Sequence, residues 1–318
     1  MNKNYLFCFL AIFLFSTIEL VGKMIDKSVS PIAITCYRFF IGSVMLFIVY
    51  FIKGRRIKIN IYDFLNMCLV GILNVCVSMY MLQLGIYYGQ ASLSAIIISS
   101  NPIFVGIFAL VILKEKFGLS HILCWIFGII GLSLVIFGQY AFIDDSINLS
   151  LGVMFSVLAA VTFGLYTVLS KAIILKNDIL LFNAISFLAG GIVLFIMGLV
   201  SKQQMLFVLD IRNVISVLYL GVFVTGIAYM LFFEGLSGIK TVSGSVFFLL
   251  KPVFASILAI IFLKESLSFL QILGVMIVII SLVLATNIKK MSFGKINYLF
   301  NFKYFMNNFN IKDDNETS

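Results

Sequence analysis

Long apolar runs separated by short polar breaks constrain this chain more than any other feature. A helix needs about 20 apolar residues to cross the hydrocarbon core of a bilayer, and the runs lack the period-two alternation of barrel strands. Only helices and closed barrels satisfy their backbone groups in lipid. The sequence therefore predicts an all-α integral membrane protein with ten transmembrane helices, at 5–23, 31–52, 63–84, 90–112, 119–139, 149–170, 178–200, 212–234, 240–263 and 268–287.

The composition excludes a soluble domain. Hydrophobic residues make up 62% of the chain and charged residues 11%, whereas a soluble domain is roughly half apolar and a quarter charged. Lys and Arg concentrate in alternate loops, which predicts cytoplasmic N- and C-termini in the cytoplasmic membrane. The net charge of +9 then describes one membrane face, and no nucleic-acid partner is expected.

Two stretches of the sequence repeat one another. "NPIFVGIFALVILKEK" begins at Asn101 and "KPVFASILAIIFLKES" begins at Lys251. The distance in sequence from Gly85 to Gly235 equals that from Asn101 to Lys251. Each copy contains Leu-Lys-Glu just before its last residue. This indicates a duplicated five-helix unit, with the first repeat in 1–140, the second in 141–288, and a basic, aromatic and partly disordered cytoplasmic tail in 289–318.

An odd number of helices per unit has a geometric consequence. Each crossing reverses the chain direction, so the second unit is predicted to lie upside down relative to the first. Inverted repeats of this kind are a recurring plan of secondary transporters. They provide two similar half-structures that can exchange conformations, and therefore alternating access.

Three features of the sequence occur together: the stretch "RFFIGSVMLF" that begins at Arg38, the paired proline-containing spans, and the paired Leu-Lys-Glu ends. In these features the chain resembles the drug/metabolite transporter superfamily, specifically its EamA family of ten-helix exporters. The resemblance covers nearly all of residues 5–288. It implies a central cavity formed mainly by spans 1, 3, 4, 6, 8 and 9. Family members carry an aromatic-glycine pair early in the first span, whereas this chain reads "FSTIELVGK" there.

Asn101 and Lys251 are repeat equivalents, and each immediately precedes a proline, Pro102 or Pro252. Proline removes a backbone donor and frees a carbonyl one turn back, so both spans are predicted to bend at the cavity. A lysine at the bilayer centre costs about 3 kcal/mol on insertion scales. Lys251 should therefore face the interior, either in a structural ion pair or against an anionic substrate group.

Glu19 and Arg38 are charged residues in the outer halves of the first two spans. Antiparallel neighbours would bring them together, which lowers the cost of both charges. For Arg38, a purely structural ion pair is an equal alternative to a role in transport. Glu19 is expected to line the cavity, and the hypothesis for its carboxylate is that it couples transport to protons. Near the other face, Glu234 is interpreted first as a solvated interface residue, with Lys171 or Lys240 as an alternative partner.

Hydroxyl-bearing rings lie on the third, sixth and eighth spans. Tyr80, Tyr166 and Tyr229 suit a cavity that receives an amphipathic small molecule, although packing and interface roles explain tyrosines equally well. Tyr80 and Tyr229 are repeat neighbours, one position out of register.

These residues favour a secondary transporter that exports a small metabolite or drug-like molecule. A channel or lipid scramblase is the first alternative and a membrane-embedded enzyme the second. The chain lacks a Walker-type phosphate loop, its five cysteines fall in apolar runs, and its one histidine is His121, so no cofactor or metal is expected. Coupling to protons or a counter-substrate, and a monomeric or homodimeric state, stay open.

Overall fold

The computed structural model describes residues 3–26, 29–88, 91–116, 118–139, 149–205, 210–254, 257–258 and 268–287. All regular secondary structure within these ranges is helical. The predicted tail 289–318 lies outside the described residues.

Helices occupy each predicted segment of the first half. They are α1 (Lys3–Phe15), α2 (Ile18–Met24), α3 (Pro31–Ile52), α4 (Ile61–Ile72), a π-helical segment Leu73–Met79, α5 (Tyr80–Tyr88), α6 (Ala91–Ser99), α7 (Asn101–Ile112) and α8 (Leu119–Gln139). The first predicted span is interrupted between α1 and α2, which the sequence did not predict. The fourth is interrupted at Ser100, next to Pro102, where the sequence predicted a bend.

The second half repeats this arrangement. Its elements are α9 (Leu149–Ile174), α10 (Ile179–Val200), α11 (Ile211–Tyr219), a π-helical segment Leu220–Ala228, α12 (Tyr229–Ser237), α13 (Thr241–Ser245), a 3₁₀ segment Val246–Leu250 and α14 (Phe269–Asn287). A π-helical segment therefore lies inside the third and the eighth predicted spans alike.

Within the part of the chain that the structure describes, six helical stretches are long and apolar enough to cross a membrane. They are Lys3–Gly22, Pro31–Ile52, Ile61–Tyr88, Ser150–Ile174, Ile179–Val200 and Ile211–Ser237. Four shorter apolar helices accompany them, at Ile97–Ile112, His121–Leu134, Thr241–Phe254 and Ile272–Ser281. Large apolar side chains such as Ile52 and Val200 are 79% and 77% exposed, as expected where the solvent is lipid.

Side-chain caps lie at the N-termini of α3 and α10. The Ser30 hydroxyl accepts a hydrogen bond from the Ala33 N–H (3.4 Å), and Pro31 occupies the first turn of α3. The Asp178 carboxylate accepts hydrogen bonds from the N–H groups of Leu180 (2.9 Å) and Leu181 (3.2 Å) at the start of α10. Such caps satisfy donors that the helix itself leaves unpaired.

The contacts between helices are symmetric with respect to the two halves of the chain. The second predicted span packs against the seventh (α3 with α10), and the fifth against the tenth (α8 with α14). The third packs against the sixth (α5 with α9), and its counterpart, the eighth, packs against the first (α12 with α1). Swapping the halves therefore maps each of these contacts onto itself or onto another observed contact.

Gly85 and Gly235 show the same correspondence at atomic scale. A Cβ on Gly85 of α5 would lie 2.4 Å from Ser156 Oγ of α9, and a Cβ on Gly235 of α12 would lie 2.7 Å from the Asn4 carbonyl oxygen of α1. Both glycines are needed because a side chain would push the paired helices apart.

Polar contacts gather at the two ends of the bundle. At one end, here the Lys53 end, Arg55 forms an ion pair with Asp178. At the opposite end, here the Asp26 end, the Asp26 N–H donates to Asn213 Oδ1 (3.0 Å) and the Ser30 hydroxyl donates to the Gln204 carbonyl (2.6 Å).

Candidate substrate site

The two π-helical segments place Tyr80 and Tyr229 in equivalent positions. Tyr80 is the first residue of α5, directly after the segment Leu73–Met79, and Tyr229 is the first residue of α12, directly after Leu220–Ala228. An extra residue per turn re-aims the side chains that follow it, and π-helical bulges occur frequently at functional sites. Tyr80 is half-buried, whereas Tyr229 is 3% exposed.

Tyr229 lies at the centre of an aromatic cluster. Its ring centroid is 5.0 Å from those of Phe15 and Phe187, both in edge-on geometry. Four further rings lie within 6.1–6.4 Å. Three come from other helices, Phe39, Phe163 and Tyr166, and the fourth is Phe233 of the same helix. The cluster joins helices from both halves of the chain at the centre of the bundle.

Two strongly polar side chains lie beside the Tyr229 hydroxyl. The Arg38 guanidinium, 2% exposed, acts electrostatically on that hydroxyl and lies 5.0 Å from the Phe39 ring centroid. The Asn74 carboxamide is fully buried and close to the same hydroxyl. Neither Asn74 amide atom makes a hydrogen bond of normal geometry with a described residue, and such a group usually finds a partner.

Asn74 is a functional candidate that the sequence analysis missed. It lies inside the first π-helical segment, in the run "GILNVCVSMY". An amide in the middle of a predicted transmembrane span is the signal that identifies it, because polar groups at membrane depth are expensive and face the protein interior.

Tyr166 belongs to the same cluster. It is fully buried on α9, and its hydroxyl and the neighbouring Ser170 hydroxyl make no regular hydrogen bond with any described residue. Together with Asn74, these groups give the aromatic cluster buried donors and acceptors.

The fourth predicted span breaks immediately before Asn101 and Pro102. Helix α6 ends at Ser99, Ser100 forms a turn, and α7 starts at Asn101 with Pro102 in its first turn. The Ser99 and Ser100 hydroxyls donate back to the Ala95 and Ile97 carbonyls. The Asn101 carboxamide is fully buried, and no described residue forms a regular hydrogen bond with it.

Lys251 and Pro252 follow an equivalent irregularity in the ninth predicted span. The 3₁₀ segment Val246–Leu250 ends directly before Lys251, and a helical turn resumes at 251–254. Lys251 is 2% exposed. The 3₁₀ segment packs against α7, so the two proline-containing regions are neighbours.

The structure thus brings Arg38, Tyr166 and Tyr229 together in one cluster. Glu19 is different, because its side chain lies outside the described part of the chain, and its pairing with Arg38 stays a prediction. Glu234 does not take either of the partners that the sequence suggested. Lys171 donates to the carbonyls of Leu236 and Ile239 instead, and Lys240 donates to the Lys116 carbonyl (2.9 Å).

A second polar network joins the end of α7 to the start of α13. Lys114 adopts a left-handed conformation (φ 54°), and the Glu115 N–H closes back on the Ala109 carbonyl, as in a helix C-cap. The turn directs the Glu115 carboxylate to Thr241, and His121 Nε2 lies 3.3 Å from the Ser243 hydroxyl. This network was not predicted from the sequence.

Comparison with known proteins agrees with this architecture. The sequence profile of the EamA-like transporter family matches residues 2–137 and again residues 150–287. An uncharacterized transporter of Clostridium kluyveri is 34% identical over 287 residues, covering 88% of this chain and 92% of that protein. The uncharacterized transporter YwfM of Bacillus subtilis is 28% identical and covers 88% and 93%.

More distant matches extend the likeness. A WAT1-related chloroplastic protein of Arabidopsis thaliana is 24% identical over 280 residues, covering 86% of this chain and 66% of that protein. A solved crystal structure with 16% sequence identity superposes with a TM-score of 0.75, over 89% of this chain and 98% of that one. At that identity the structure shows the shared fold alone.

The helical fold and these matches define a multi-pass membrane transporter built from two repeats. The chain belongs to the EamA-like transporter family. Membership in the drug/metabolite transporter superfamily, inferred above from the paired motifs, is thereby confirmed.

Proposed function

We propose that this chain is a secondary transporter that exports a small amphipathic metabolite or drug-like molecule across the cytoplasmic membrane by alternating access. Ten transmembrane helices form two inverted five-helix repeats, with both termini in the cytoplasm. The Lys53 end then faces the cytoplasm and the Asp26 end faces outward.

The exchange of packing between the halves carries this proposal. The third span contacts the sixth as the eighth contacts the first. The third and the eighth spans each contain a π-helical segment. Two half-structures with the same contacts can adopt each other's conformation at similar free energy. That equivalence is what rocking-type alternating access requires.

The aromatic cluster around Tyr229 is the proposed substrate site. Its rings offer apolar contact area, while Arg38, Asn74 and Tyr166 offer a charge and buried hydrogen-bonding atoms. Such a combination suits a molecule with an apolar body and a few polar groups. Asn101 and Lys251 are proposed to join it from the fourth and ninth spans when the transporter changes state.

A ligand screen tests the site. The detergent-solubilised protein is heated with metabolite pools, and a stabilising compound is then tested on Lys251→Ala and Tyr229→Phe. Protection of the wild type that is lost in both variants supports the proposal. Full protection in both variants would place the substrate elsewhere.

Flux measurements separate a carrier from the alternatives. In proteoliposomes a carrier gives saturable uptake and trans-stimulation, whereas single-channel currents across a planar bilayer indicate a channel and chemical change of the compound indicates an enzyme. Replacing Glu19 with Gln is expected to abolish transport driven by a pH gradient. Undiminished coupling in that variant excludes Glu19 as the proton-coupling group.

The inverted topology is tested with engineered cysteines. Lys116→Cys follows the fourth span and Phe269→Cys begins the tenth, and both positions are exposed. A charged, membrane-impermeant thiol reagent added to intact cells should label only Phe269→Cys. Lys58→Cys, in the loop after the second span, serves as the cytoplasmic control and should match Lys116→Cys.

A further inference from the structure

A cavity at the Lys53 end of the bundle is separate from the aromatic cluster. Its volume is about 520 Å³. The wall comes from four helices, α1, α9, α10 and α12, and from the loops after α3 and α9. Its lining residues are Phe7, Lys53, Arg55, Ile174, Asn177, Asp178, Ile179, Leu180, Met230, Leu231, Glu234 and Ser237.

The cavity lies at the level where apolar helices end. Lys53 is the residue directly after α3, Asp178 is the cap of α10, and Glu234 lies in the last turn of α12. Charged residues at the ends of apolar helices mark the boundary between hydrocarbon and water. Below them the wall is apolar, with Phe7 and Met230 among its residues.

One side of the cavity adjoins the lipid-facing surface of α1. Phe7 lines the cavity, while Leu6 and Leu10 of the same helix are 39% and 40% exposed. A bilayer lipid beside α1 therefore has a short path to the apolar part of the wall.

The charges in the wall divide into a closed pair and an open pair. Arg55 and Asp178 form an ion pair with each other. Lys53 and Glu234 are both exposed, and neither side chain hydrogen-bonds or pairs with another described residue. One cation and one anion are thus left to face a ligand.

We propose that this cavity binds the headgroup of a zwitterionic phospholipid that carries a primary ammonium group. Glu234 accepts hydrogen bonds from the ammonium, Lys53 contacts the phosphate, and Phe7 and Met230 pack against the glycerol and the first acyl carbons. A free phosphate-bearing amine offers the same charges, but the apolar lower wall and the position at the membrane boundary favour the lipid. This site goes beyond the proposed transport function and does not depend on it.

The experiment compares purified full-length protein in nanodiscs that differ only in the zwitterionic lipid. Phosphatidylethanolamine carries the primary ammonium, and phosphatidylcholine replaces it with a trimethylated group that donates no hydrogen bond. We expect the ethanolamine lipid to raise the thermal midpoint by about 2–4 °C, the shift of a binding energy near 1 kcal/mol. Glu234→Gln should abolish this difference. Lys53→Gln should lower the midpoint in both lipids, because both carry the phosphate that Lys53 contacts.

Lys58→Gln is the matched control, because it removes the same charge from the same loop at an exposed position outside the cavity wall. It should retain the full lipid difference. Equal midpoints of the wild type in the two lipids, or a retained difference in Glu234→Gln, would overturn the proposal. Soluble phosphoethanolamine that fully protects the protein in phosphatidylcholine nanodiscs would overturn the lipid as the source of the ligand. No transport substrate is present, so failure here leaves the proposed function untouched.

Discussion

The Glu115 carboxylate binds Thr241 twice, accepting hydrogen bonds from its N–H (3.1 Å) and from its hydroxyl (2.8 Å). The same carboxylate accepts from the Val242 N–H (3.4 Å). The end of the fourth span thereby caps the first turn of the ninth, and these two spans are repeat equivalents. In the alternating-access cycle proposed above, we expect this contact to break when the Lys53 end opens.

Replacing Glu115 with Gln is expected to open the Lys53 end. The amide loses the charge that strengthens these hydrogen bonds, at a cost of about 1–2 kcal/mol for a lost cap. Ser243→Cys reports the opening, since Ser243 is half-buried in the closed network. A charged thiol reagent should modify it roughly tenfold faster in the Glu115→Gln background.

Glu234→Gln provides the comparison for Glu115→Gln, because it removes a carboxylate that is exposed and bonds no described residue through its side chain. Its labelling rate at Ser243→Cys should equal that of the wild type. The native cysteines supply the background rate, and four of the five are buried. Equal rates in Glu115→Gln and wild type would show that the contact does not restrain this end.

Lys171 stabilises the end of α12 from another helix. Its ammonium donates to the carbonyl of Leu236, in the last turn of α12, and to that of Ile239, which follows the helix (3.0 Å for Ile239). Carbonyls at a helix end lack partners within the helix. Lys171→Met keeps the length of the side chain and removes the donors. We expect it to lower the free energy of unfolding by about 1–3 kcal/mol, the cost of unsatisfied buried groups.

Thermal unfolding in detergent measures the effect of Lys171→Met. Lys176→Met removes an exposed lysine five residues later and should change the midpoint little. A similar loss in both variants would mean that overall charge, and not the two carbonyls, causes the destabilisation.

The helical segments and the repeat were within reach of the sequence, because bilayer thickness fixes the length of an apolar run and a fixed offset exposes a duplication. The interruptions were less accessible. Pro102 and Pro252 indicate irregular backbone in two spans, but neither π-helical segment contains a proline or any residue that excludes a regular helix. Those segments depend on packing between helices, which a single sequence does not contain.

Side-chain partners were the least predictable part of the site. Tyr166, Tyr229 and Arg38 were identified as polar groups at membrane depth, and the structure places them together. The contact between Glu115 and Thr241 was not predicted, because the two residues are distant in the chain. Lys171 was assigned a carboxylate partner, since carbonyls at the end of another helix leave no trace in the sequence.

The Tyr229 hydroxyl is predicted to contact substrate. Tyr229→Phe keeps the ring and its contacts with Phe15 and Phe187 while it removes one hydrogen-bonding group. We expect little change in thermal stability and a roughly tenfold loss of affinity for the ligand found by screening, near 1.4 kcal/mol. Tyr219→Phe removes a hydroxyl that bonds Thr17 away from the cluster and should leave affinity unchanged. A Tyr229→Phe variant with wild-type affinity would assign this residue to packing alone.

Alanine is expected to destabilise the protein at both Gly85 and Gly235, because each glycine lies where a helix of one repeat packs against a helix of the other. A Cβ on Gly235 meets the Asn4 backbone at 2.7 Å, and a Cβ on Gly85 meets Ser156 Oγ at 2.4 Å and its backbone N at 3.2 Å. Ala at either position forces the helices apart, and overpacking of this kind costs about 1–3 kcal/mol. The loss should be larger for Gly235→Ala, where a backbone atom cannot rotate away.

Gly22→Ala is the control, since a Cβ there meets nothing within 4 Å, and better helix propensity should leave its thermal midpoint equal or higher. A stable Gly235→Ala variant would mean that α1 and α12 are less closely packed in the membrane than their contacts indicate.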